Sequence, residues 1–76
     1  MNEAQEAVLS DLCVRLGFCL SPEKSRDWFA EQAIDSAEAF ARVVYTAEGL
    51  DYDRDTRQPL KSAVRELGAR YLAAAE

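Results

Sequence analysis

The chain contains no histidine. That removes at once the commonest general base, the usual activator of a serine or cysteine nucleophile and the commonest metal ligand. It has two cysteines, Cys13 and Cys19. Their spacing is not C-x-x-C, and two thiols without other strong ligands do not make a zinc site. They are expected as buried free thiols rather than as a disulfide. Glycine occurs three times and proline twice, so no linker or low-complexity stretch interrupts the chain, and neither repeats nor strand-like alternation are visible. No apolar run is long enough to span a bilayer, and no basic start followed by an apolar segment marks a secretory signal. A soluble cytoplasmic protein without a membrane partner is the expectation.

What is present favours helix. The large apolar residues are spread over all 76 positions, and alanine, a strong helix former, supplies much of the rest. Asn2 is placed to cap a first helix, with Glu3 and Glu6 in the opening turn where the helix dipole favours negative charge. Val8, Leu9, Leu12, Cys13 and Leu16 then form an apolar stripe, and Gly17 followed by Phe18 suits a left-handed ending. Ser21-Pro22-Glu23 reads as cap, first helical residue and dipole-favoured acid of a short second helix ending near Gln32. Trp28 and Phe29 are adjacent, so only one can enter the core from that helix.

The third helix starts at Ile34-Asp35, buries Phe40, Val43, Val44 and Ala47, and ends at Gly49-Leu50. Residues 51–56 are a polar connection. Pro59 belongs in a first turn, so the last helix begins near Thr56 and buries Leu60, Val64, Leu67, Tyr71 and Leu72. Gly68 inside it costs about 1 kcal/mol relative to alanine and marks a close helix crossing. The reading is an all-α fold: a small four-helix bundle with a short second helix, one domain over residues 1–76.

The net charge is −5, which opposes general affinity for phosphate and hence a nucleic-acid partner. Up to Asp53 there are eleven acids and four bases; from Arg54 onward there are five bases and three acids. Arg57, Lys61 and Arg65 recur every four residues and are expected to line a solvated face, the alternative being a docking surface for an acidic partner. Gly49 to Pro59 is too long and too acidic for a tight helix-turn-helix.

Asp51, Asp53 and Asp55 alternate as a calcium loop begins, but the sixth position is Thr56 rather than glycine and the twelfth is Ser62 rather than glutamate. No metal site is expected. Ser36 lacks a histidine, and a serine–lysine pair would need Lys24 or Lys61 desolvated beside it. Glu31, Glu38 and Glu48 lie on polar faces. No catalytic residue is assigned, and an enzyme is not expected. That leaves a small acidic, non-catalytic interaction module of inhibitor, immunity or adaptor type. Its candidate contacts are Trp28 or Phe29 as anchor, Tyr52 beside it, and Asp51, Asp53 and Asp55 as a charged rim. The partner is a protein, with a second copy of the chain as a special case.

Asp35-Ser36-Ala37-Glu38 has two readings. Asp35 caps the third helix with Glu38 closing a capping box, or Ser36 is an exposed hydroxyl awaiting a phosphate-linked group. Leu16-Gly17 ending a first helix, a long connection, then Asp35-Ser36 opening an acidic helix resembles the layout of acyl and peptidyl carrier proteins, over nearly the whole chain. The resemblance implies a phosphopantetheine arm on Ser36, with Asp35, Glu38 and Glu48 facing basic partner enzymes. Ile34 and Ala37 depart from the glycine before, and the leucine or methionine after, the family's Asp-Ser pair. Without the carrier role, no cofactor is expected.

Overall fold

Capping chemistry sets where the first helix begins. The Asn2 side chain accepts the Gln5 N–H at 2.8 Å, while the Asn2 N–H donates to Gln5 Oε1 at 3.0 Å. This reciprocal capping box satisfies two backbone donors at the start of α1 (Glu3–Leu16). The helix ends at Gly17, whose φ of 78° lies in the left-handed region open to glycine. The Gly17 N–H donates to the Cys13 carbonyl and the Phe18 N–H to the Leu12 carbonyl, and Phe18 turns into the core.

The computed structural model describes residues 2–19 and 26–75. The expected Ser21-Pro22-Glu23 cap lies outside these residues. Three further helices follow: α2 (Arg26–Ala30), α3 (Ala37–Ala47) and α4 (Gln58–Ala74). The all-α fold with four helices and a short second one is as expected from the sequence. The start of α4 is two residues later than expected and places Pro59 in its first turn. No strand occurs among the described residues, and no helix among them is long and apolar enough to cross a membrane.

Two expectations are corrected. Cys13 and Cys19 are not buried free thiols: they form a disulfide, with Cys13 half-buried and Cys19 exposed. The cause is the left-handed turn at Gly17, which reverses the chain and brings the two Cα atoms within 4.3 Å. The cap of α3 is Ser36 rather than Asp35: Ser36 is extended and its Oγ accepts the Ala39 N–H at 3.0 Å. With the cap shifted by one, the third helical position is Ala39. Glu38 therefore cannot close a capping box and instead approaches Arg42 at 3.5 Å.

The last helix is the spine of the packing, with α1 on one side and α3 on the other. Val8, Leu9 and Leu12 of α1, Phe40, Ala41, Val44 and Tyr45 of α3, and Val64, Leu67 and Tyr71 of α4 form one core. Burial of each large side chain contributes about 1.5–3 kcal/mol. The crossing expected at Gly68 is there: a Cβ at that position would meet Phe40 at 2.9 Å. Six aromatic rings form two chains, Phe29–Phe40–Tyr71 and Phe18–Tyr45–Tyr52, with centroids 5.2–5.6 Å apart. These tilted and edge-on contacts suit the ring quadrupoles. Asn2 Nδ2 donates to the Ala74 carbonyl at 2.7 Å, and Arg70 pairs with Asp11 at 3.0 Å, tying the C-terminal end of α4 to α1 and its cap.

Candidate functional site

The connection between α3 and α4 begins with a glycine turn. The Gly49 N–H donates to the Thr46 carbonyl and the Leu50 N–H to the Tyr45 carbonyl at 2.8 Å, the two hydrogen bonds of a Schellman ending. Unlike Phe18 after the first such turn, Leu50 stays 41% exposed. Short aspartate turns follow: Asp51 Oδ1 accepts the Asp53 N–H, and Asp55 Oδ1 accepts the Arg57 N–H.

Tyr52, within this loop, is 6% exposed and is the centre of a cationic cluster. The Lys61 Nζ lies 4.3 Å and the Arg42 guanidinium 5.0 Å from its ring centre, while Arg65 Nη1 donates to its hydroxyl at 2.8 Å. Lys61 is itself buried and reaches the Asp55 carbonyl at 3.3 Å. Arg57, Lys61 and Arg65 are therefore not one solvated stripe. Lys61 and Arg65 cover a buried phenol, and Arg57 caps the loop. The ring faces attract both cations, by about 0.5–2 kcal/mol each.

The three aspartates are each committed to a separate partner. Arg42 grips Asp53 through two bonds of 2.9 and 3.0 Å. Arg57 holds Asp55 through bonds of 2.7–3.2 Å, and Arg54 stands 3.5 Å from Asp51. Hydrogen bonding to Arg57 holds the Asp55 carboxyl well below the usual range, and the bond to Arg42 lowers that of Asp53. Among the described residues, no group of three histidine, cysteine, aspartate or glutamate side chains is arranged to hold a metal ion.

Beneath this loop lies Tyr45, fully buried. Its hydroxyl sits close to the Asp55 carboxylate but outside hydrogen-bonding geometry, so it has no partner. Burial pushes its pKa up to about 12. Glu48 Oε1 is likewise buried and unpartnered, and burial raises its pKa.

The candidate contact aromatics separate. Phe29 is fully buried against Phe40 and Tyr71, and Tyr52 is interior. Neither presents its ring to solvent, because each completes one of the two aromatic chains. Trp28 is half-buried at the edge of the core, beside exposed Asp27 and Glu31. Gln32 Nε2 donates to the Trp28 carbonyl at 2.9 Å. The sequence separated Trp28 from Phe29 without saying which would enter; the structure sends Phe29 in.

Ser36 and Asp35 are both exposed at the start of α3. A shallow depression between α1 and α4 is lined by Arg15, Leu16, Ala63, Glu66, Leu67 and Arg70. The cluster that sequence reasoning missed is Arg42, Lys61 and Arg65 around Tyr52. Its only signal was a lone aromatic in a polar loop followed by cations four residues apart. Comparison with protein-family models, curated proteins and solved structures finds no match to this chain.

Proposed function

We propose that this chain is a small, non-catalytic helical module that binds a protein partner, as an inhibitor, an immunity-type protein or an adaptor, in the cytoplasm. The observation that carries the reading is the arrangement of α2. Phe29 fastens this five-residue helix to the core, and its neighbour Trp28 stays half-buried between exposed Asp27 and Glu31. An aromatic at the surface with carboxylates beside it suits a partner offering an apolar slot with a basic rim. The loop aspartates fit the reading less well, because Arg42 and Arg57 already neutralise Asp53 and Asp55. The net charge of −5 disfavours nucleic acid as the partner.

The test is affinity capture with the wild-type chain, Trp28→Ala and the Asp27→Lys, Glu31→Lys pair, each checked for helical content. A partner retained by the wild type and lost from both variants supports the reading. Identical capture by all three overturns it. Light scattering on the same samples reports whether the partner is a second copy.

A second reading, a carrier protein with phosphopantetheine on Ser36, is favoured by one observation. The Ser36 hydroxyl is exposed ahead of a helix N-terminus, where the dipole favours a phosphodiester. Incubation with coenzyme A and a broad-specificity phosphopantetheinyl transferase would add one arm to the wild type and none to Ser36→Ala. No mass gain on the wild type removes this reading.

A further inference from the structure

We propose that the Cys13–Cys19 disulfide is a reversible redox clasp on the end of α1, opening and closing without unfolding the core. It goes beyond the binding reading and does not depend on a partner being found.

Three observations point the same way. First, the bridge is at the surface: Cys19 is exposed and Cys13 half-buried, so a reductant has access to the sulfur that matters. Buried structural bridges lack that access. Second, the bridge closes a short loop, six residues apart in sequence, that backbone hydrogen bonds already close. The Gly17 N–H reaches the Cys13 carbonyl at 3.1 Å, and the Phe18 N–H reaches the Leu12 carbonyl at 3.0 Å. The helix ending therefore survives the loss of the covalent tie. Third, the core that holds α1, α3 and α4 together is built from residues outside the bridge. What the bridge adds is a tether around Phe18, whose ring packs at a tilt against Tyr45 with centroids 5.5 Å apart. Opening it leaves Phe18 held by one hydrogen bond and its own packing.

The chemistry balances with a dithiol as reductant. One thiolate of the dithiol attacks Cys19 Sγ, the bond to Cys13 Sγ breaks, and Cys13 leaves as a thiolate that takes up a proton. The second thiol of the reductant then displaces Cys19, which is protonated in turn. Two electrons pass to the clasp, and the dithiol becomes a cyclic disulfide. In a reducing compartment, protein disulfides are usually transient and redox-sensing, and an exposed pair on a stable helix end fits that use.

The experiment is a redox titration of the purified chain with oxidised and reduced glutathione, with thiols counted by alkylation and intact mass. Residue-level hydrogen exchange is followed in both states and in the Cys13→Ser, Cys19→Ser double variant. The expected result is a two-electron transition between no alkylated cysteines and two. In the reduced form, exchange at Gly17, Phe18 and Cys19 should be faster by about tenfold. Exchange in the middle of α3 and α4 should be unchanged, and the double variant should match the reduced protein. Three results would overturn the proposal. One is unfolding on reduction, which makes the bridge a structural staple. Another is equal exchange at residues 17–19 in both states, which means the bridge holds nothing. The third is two free thiols even under oxidised glutathione alone.

Discussion

Replacing Gly68 by alanine sets two opposed effects against each other, and the structure decides the sign. In an exposed helix interior the change gains about 1 kcal/mol through helix propensity. Here the added methyl would lie 2.9 Å from Phe40 Cβ and Cδ1 and 3.0 Å from Cγ. These atoms are the root of a fully buried side chain wedged between Phe29 and Tyr71, so they cannot swing aside as the tip of a flexible chain would. Overpacking of this kind costs about 1–3 kcal/mol, and the immobile neighbour places it in the upper half of that range. The net expectation for Gly68→Ala is a loss of about 1–2 kcal/mol. For a domain of this size that is a fall in Tm of roughly 5–15 °C. Thermal melts followed by circular dichroism measure it. The same substitution made in a Phe40→Ala background should cost less by at least about 0.5 kcal/mol, because Cγ and Cδ1 are then gone and only Cβ remains to meet the methyl. An unchanged or raised Tm for Gly68→Ala in the wild-type background would refute the close crossing of α3 and α4.

Two further outcomes follow from the charged loop. Tyr52→Phe removes the bond from Arg65 but leaves the ring beneath Arg42 and Lys61, and should cost about 1 kcal/mol. Tyr52→Leu removes the ring as well and should cost about 2–3 kcal/mol, read as a lower urea midpoint at constant m-value. Stability should also pass through a maximum in mild acid. The raised Glu48 value means that the folded chain takes up that proton first, so stability rises as pH falls toward the unfolded glutamate value of about 4.3. The lowered Asp55 and Asp53 values mean that stability is lost below about pH 3.9, where the unfolded chain binds protons the folded one refuses. Melts from pH 7 to 2 check both limbs: Glu48→Gln should abolish the rise and Asp55→Asn should soften the fall. A monotonic decline from pH 7 in the wild type would contradict the assignment of Glu48.

Helix ends and the close crossing were legible because each depends on one residue with one local job. Asn2 accepts a donor, Gly17 and Gly49 take a left-handed turn, Pro59 tolerates only a first turn, and Gly68 leaves room for Phe40. The α3 cap was half legible: Asp35 and Ser36 are both good caps, and only backbone conformation chooses between neighbours. The charged cluster was not legible, because cations four residues apart look the same whether they face water or cover a ring. That choice depends on where the preceding loop lays Tyr52 down, which is tertiary information. The disulfide was hidden for a similar reason. A spacing of six says nothing about proximity until Gly17 reverses the chain, and in the sequence Leu16-Gly17-Phe18 signals only a helix stop. One residue therefore does two things: Gly17 ends α1, and by ending it in the left-handed region it sets Cys19 beside Cys13. Gly17→Ala should accordingly weaken the bridge as well as the helix end, since alanine disfavours the backbone angle on which both depend.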